Sequence, residues 1–147
     1  MVKLIPYKDQ NIYGIKTKHE IMDNGEIRFR LMGKDGSGYI RTEAGKNGAW
    51  QNSHYHKYIK EMYIIQKGWL AYAILADGIL KQKIYYPEEF FVVESGMIHN
   101  IYLPAGAITH TIKYGNTSIF DWYASSELDI LTKQIDEEGI LEISKNK

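Results

Sequence analysis

Two histidines two positions apart, His54 and His56, followed by Glu61, are the residues whose types and spacing could most directly do chemistry. On an extended strand, residues i and i+2 project to the same face, so the two imidazoles can converge on one point. Glu61 lies seven residues after His54 and must arrive from the next strand or across a bend. Two imidazoles and a carboxylate form a nitrogen and oxygen donor set suited to Fe(II), Mn(II), Ni(II), Co(II) or Zn(II), with positions left open for substrate or dioxygen. The chain has no cysteine, which excludes disulfides, thiolate sites and a cysteine nucleophile and leaves His and carboxylates as its strong metal ligands.

Other side chains qualify as supporting groups. On a strand beginning at Glu61, parity puts Tyr63 beside the carboxylate, where its phenol can donate to a bound oxygen or act as an acid, or else be a core aromatic with its hydroxyl satisfied. Gln51, in the segment leading to His54, is a candidate substrate-binding residue, against the plainer reading of a solvated loop amide. His110 shares a strand face with Ile108, Ile112 and Tyr114, which aims it inward, either as a packed histidine or in an acid/base role. Trp50, Trp69 and Trp122 suit a core or a dimer interface, and Asp121 suits orienting a neighbour or simple exposure. His19 and the stretch 57–60 carry no signal, and Glu88 and Glu89, being adjacent, point to opposite faces of a strand.

The elements that must position these residues are short strands. Turn signals recur at Asp23-Asn24-Gly25, 34–38, Lys46-Asn47-Gly48, Asp77-Gly78, Ser95-Gly96, Pro104-Ala105-Gly106 and Gly115-Asn116. Between them, 26–32 alternates with Ile27, Phe29 and Leu31 on one face, 62–73 is a long apolar and aromatic run, and 70–84 reads as a hairpin turning at Asp77-Gly78. Strands over 90–93, 98–103, 108–114 and 118–123 complete the series. Ser125-Ser126-Glu127 offers an N-cap and acidic first turn for one short C-terminal helix, and 144–147 reads as a frayed tail. The 147 residues suit one domain, 1–147, with no internal repeat or linker. Eighteen Lys and Arg balance eighteen Asp and Glu, so bulk charge favours neither nucleic acid nor a membrane surface. No stretch reaches the roughly 18–20 apolar residues of a membrane span, so a cytoplasmic protein is the expectation.

The segment from Gly48 to Gly68 resembles the first motif of the cupin superfamily: Gly, five residues, His-x-His, three or four residues, Glu, six residues, Gly. Gly48, His54, His56, Glu61 and Gly68 fill every fixed position. The second motif runs Gly, five residues, Pro-x-Gly, two residues, His, three residues, Asn. Gly96 and His99 supply its centre, while Glu88, Glu94 and Leu103 stand where Gly, Pro and Asn are usual. The resemblance implies an all-β, cupin-type jelly-roll β-barrel, its core spanning about residues 48–124, with one divalent transition metal inside its mouth on His54, His56, Glu61 and His99.

Two functional readings follow from it. The first is a small metalloenzyme of oxygenase or isomerase/epimerase type acting on a polar oxygenated metabolite, with the twelve tyrosines suiting a carbohydrate-derived one. The second is a non-catalytic cupin that binds a metal or small ligand as a sensor or accessory protein. A metal-free isomerase is disfavoured by the full ligand set. A homodimer is expected from the resemblance and from apolar strands near the N-terminus whose edges need cover.

Overall fold

The computed structural model describes residues 2–145. Its strands are β1 (Lys3–Leu4), β2 (Asn11–Ile12), β3 (Ile15–Ile21), β4 (Ile27–Met32), β5 (Gly38–Glu43), β6 (Ala49–Trp50), β7 (His54–Tyr55), β8 (Lys60–Lys67), β9 (Leu70–Ala76), β10 (Ile79–Tyr85), β11 (Phe90–Val93), β12 (His99–Leu103), β13 (Ile108–Tyr114) and β14 (Tyr123–Ala124). Two helices follow, α1 (Ser126–Lys133) and α2 (Glu137–Lys145). All strand pairs are antiparallel. The larger sheet runs β1-β3-β4-β5-β13-β8-β11, with β2 on β3, and the smaller runs β10-β9-β12-β7-β14, with β6 on β12.

Local sequence explains the main features. Asp77 and Gly78 both take positive φ, 53° and 73°, the mark of a type I′ turn, and they set the register Ile79↔Ala76 between β9 and β10. The apolar run 62–73 is divided between β8 and β9 at Gly68. There φ is +79° and a Cβ would lie 3.0 Å from Cβ of Ala107, so only glycine fits without displacement.

One core lies between the sheets and includes Tyr63, Ile65, Leu70, Phe91, Val93, Ile101 and Leu103. Leu103, where the resembled motif has Asn, is fully buried apolar filling. A second core lies under the C-terminal helices, where Trp50, Ala71, Ala73 and Tyr102 pack with Ile140, Trp69 and Ile135. Ser125 caps α1 as expected, its Oγ accepting from the Leu128 N–H at 3.3 Å.

Three expectations are corrected. The C-terminal region holds two helices, because Asp136 caps a second: its carboxylate accepts from the Gly139 N–H at 2.8 Å and its carbonyl from Ile140 at 2.9 Å. Ser144 belongs to that helix, while 146 and 147 lie outside the described residues. Residues 118–122 form an irregular segment, and pairing begins only at Tyr123.

The sequence left open which face of β4 is inside. In β4 the apolar set Ile27, Phe29 and Leu31 faces away from the barrel interior, with Ile27 49% exposed, and Arg28 and Arg30 line the cavity. The alternation is as read from the sequence, and the structure sets its polarity.

Candidate metal centre

His54 lies on β7 and His99 on β12, directly opposite each other in register, while Glu61 reaches in from β8 of the other sheet. His56 follows β7. The segment before His54 is fastened to α1: Asp129 accepts from the Ser53 N–H at 2.7 Å, Ser53 accepts at its carbonyl from the Ser125 N–H at 2.9 Å, and Lys133 donates to Asn52 at 2.6 Å. The turn between His56 and Glu61 is held by Asp121, whose carboxylate accepts from the N–H groups of Lys57, Tyr58 and Ile59 at 2.7, 2.9 and 3.1 Å. Asp121 is thus an orienting residue, one of the two roles its sequence position suggested.

The four side chains converge. Glu61 Oε1 lies 3.7 Å from His54 Nε2, 2.8 Å from His56 Nε2 and 3.2 Å from His99 Nε2. The donor atoms of His54, Glu61 and His99 all fall within 4.8 Å of one another. Each imidazole has its Nδ1 against a backbone carbonyl: His54 on Asn52 at 2.9 Å, His99 on Met97 at 2.9 Å, and His56 on Asp121. An Nδ1–H donating to a carbonyl leaves Nε2 as a bare lone pair, the tautomer a metal requires.

Despite the short separations, Nε2 of His56 and His99 and Oε1 of Glu61 are buried without a hydrogen-bond partner. Buried polar atoms left unpaired are costly, and here they surround one point. This donor set and this convergence fit a divalent metal ion.

The electrostatics agree. Burial lowers His54 to about 4, so it is neutral at pH 7. Burial alone would raise Glu61, yet the surrounding imidazoles hold it well below the ordinary carboxylate range and keep it anionic. Tyr63, pushed well above its usual value by burial and then by Glu61, donates its O–H to Glu61 Oε2 at 3.3 Å and stacks on Phe91. It stands where parity put it, beside the carboxylate, with its hydroxyl satisfied.

A cavity of about 790 Å³ opens onto the centre, its walls including His54, His56 and Glu61 as well as Arg28, Arg30 and Lys113. Gln51 is also in the wall, donating to both carboxylate oxygens of Glu26 at 3.2 and 3.1 Å. Trp122 lines the cavity and stacks on His54 with ring centroids 5.2 Å apart; Trp50 packs in the core under the helices and also borders the cavity, and Trp69 packs under the helices.

His110 is the correction. It sits on the outer face of β13, its Nδ1 2.6 Å from the Tyr39 hydroxyl and its Nε2 2.6 Å from Gln66 Oε1. The inward positions of β13 are Thr109, Thr111 and Lys113, because the apolar residues Ile108 and Ile112 face outward as those of β4 do. Sequence reasoning missed Arg28, Arg30 and Lys113. Their signal was the same period-two alternation, which was read on 108–114 with the apolar face inward and on 26–32 without a side.

No family model matches the chain, and no curated protein matches it in sequence. Solved structures do match in fold. Oxalate decarboxylase from Bacillus subtilis at pH 4.6 aligns with TM-score 0.60 at 15% identity, covering 74% of this chain and 30% of the enzyme's. This chain therefore spans under a third of that relative's length. An uncharacterised conserved protein with a double-stranded β-helix domain from Klebsiella pneumoniae aligns with TM-score 0.54 at 16% identity, covering 71% of this chain and 89% of its own.

The fold is a cupin-type β-barrel. A further structure of the Bacillus enzyme, concerned with its Mn(II) centres, aligns at TM-score 0.59 and 16% identity, over 85% of this chain and 37% of its own. Among the described residues, no helix of this chain is long and apolar enough to cross a membrane.

Proposed function

We propose that this cupin is a small metalloenzyme in which His54, His56, Glu61 and His99 hold one divalent transition metal, and that it acts on a polar oxygenated metabolite admitted through the adjoining cavity. The observation that carries this reading is the convergence of buried, unpartnered Nε2 and Oε1 atoms whose imidazoles are each set by a backbone carbonyl. The Mn(II) centres named for the oxalate decarboxylase, a relative in fold, make manganese one of the ions to test first.

When bound, such an ion supplies Lewis acidity towards oxygen ligands. The chain's own groups do the rest. The carbonyls of Asn52, Met97 and Asp121 fix the imidazole planes. The Tyr63 phenol, still protonated at neutral pH, holds a proton at its hydroxyl on Glu61 Oε2. The aromatic wall of Tyr63, Tyr72 and Phe91 keeps water from that side of the centre.

The test is metal analysis of untagged protein purified without added metal, followed by reconstitution, with His56→Ala and Glu61→Ala as controls. About one equivalent of Fe, Mn, Ni, Co or Zn is expected in the wild type, with at least a tenfold loss of affinity in each variant. Wild-type protein that takes up none of these ions overturns the reading. Given an occupied site, ligand-exchangeable positions distinguish an enzyme from a closed structural site.

A further inference from the structure

The cations of the barrel interior are not all matched. Arg28 is paired with Glu26 at 2.6 Å and Arg30 with Glu20 at 2.6 Å. Lys113 makes no hydrogen bond or ion pair among the described residues, although it is half-buried and lines the same cavity as the metal centre. Its position is fixed by the sheet: Lys113 on β13 is the register partner of Glu61 on β8, as Thr111 is of Tyr63, so both pairs present side chains to the interior. Burial weighs most on its ammonium; Glu61 and, less strongly, Asp121 face it with negative charge, and Arg30 and Arg28 are its like-charged neighbours.

Charge counting then defines what is missing. Three neutral imidazoles and one carboxylate leave a divalent ion with one net positive charge, and the Glu61 charge that faces Lys113 is spent on that ion. Of the charges that then face Lys113, Arg28 and Arg30 are cations and the Asp121 carboxylate is already engaged by three backbone N–H groups, so a half-buried ammonium gains from an anion that joins it. The cavity connecting Lys113 to the centre has room for a small molecule.

Resting on the metal-centre reading above, we propose that Lys113 receives the anionic group of a small ligand whose other oxygen function reaches the metal centre. The substrate class is thus a small metabolite carrying a carboxylate or a phosphate besides a second oxygen group. Arg28 and Arg30, tied to their glutamates, shape the positive potential around it, and Lys113 is the group free to contact it.

The experiment is titration calorimetry of zinc-loaded protein with malonate and, separately, phosphonoacetate, using wild type, Lys113→Met and Lys113→Arg, with zinc content measured in each sample. Lys113→Met is expected to keep its zinc and weaken at least one of the two anions tenfold or more, while Lys113→Arg stays within about threefold of wild type. A loss with malonate identifies a carboxylate as a group received, and a loss with phosphonoacetate alone identifies the phosphonate. Equal affinity of both anions for wild type and Lys113→Met, or no binding of either to zinc-loaded wild type, overturns the proposal while the metal centre stands. Wild type that holds no zinc, seen before any anion is added, sinks the metal centre and this proposal together.

Discussion

At His54, a proton and a metal ion compete for the same nitrogen. Burial lowers this imidazole from 6.5 to about 4, so in metal-free protein the unfolded chain takes up a proton between those values that the folded chain refuses. Its contribution to stability is therefore complete above pH 6.5 and lost as pH falls towards 4, a depression worth roughly 3 kcal/mol. Glu61, also lowered, acts in the same direction at still lower pH. The melting temperature of metal-free protein is expected to fall steadily from pH 7 to pH 4.5, and His54→Gln to flatten that slope. Thermal melts across this range check it; a flat wild-type profile would contradict the burial of a neutral His54. At this scale the sequence was legible where contacts are local. His54, His56 and Glu61 were readable from spacing, and His99 from the motif resemblance. Lys113 was not, because its relation to Glu61 is made by β13 lying beside β8 across 52 residues of chain.

Glu88 shows how an element can keep its geometry after losing its usual residue. It occupies the motif position where glycine is usual, and it adopts the left-handed conformation that glycine takes freely, with φ +72°. The turn survives because the Glu88 N–H donates to the Ile65 carbonyl at 3.0 Å and Glu89 closes on Tyr86, also at 3.0 Å. The Glu88 side chain is exposed. Glu88→Gly should therefore stabilise the protein by about 1 kcal/mol, roughly 3 °C in melting temperature, with metal content unchanged; denaturation of the two proteins in parallel decides it. Strands 90–93 and 108–114 matched their sequence reading because alternation and turn residues agree there. Helix α2 went unread because Gly139 sits inside it, and its support comes from burial of Ile140 against the smaller sheet and the Gln82 amide on the Ile140 carbonyl at 3.1 Å.

For the molecule as a whole, the outward-facing apolar side of the larger sheet bears on assembly. Its outer face carries Ile27, Phe29, Leu31, Tyr39 and Ile112, with Ile27 49% and Ile112 39% exposed, and a row of rings runs from His19 through Phe29 and Tyr39 to His110. The flanking Arg41 and Glu43, paired at 3.2 Å, give this stripe both signs of charge, which suits a self-complementary contact about a two-fold axis. The homodimer expected from the sequence is accordingly proposed on this face. Wild type should sediment as a dimer at micromolar concentration and Ile27→Lys/Ile112→Lys as a monomer with its metal retained; a monomeric wild type would remove the proposal. The barrel itself was legible in the spacing of turns and strands. Its polarity was not, since period-two alternation defines two faces and is silent on which one turns inward.

The stacking of Trp122 on His54 has a consequence for how the centre can be observed. Trp50 and Trp69 pack in the core under the helices, and Trp122 is the indole in ring contact with a proposed ligand. A paramagnetic ion arriving there would sit one imidazole away from a fluorophore, and its occupancy would be written into the protein's intrinsic emission without any added label.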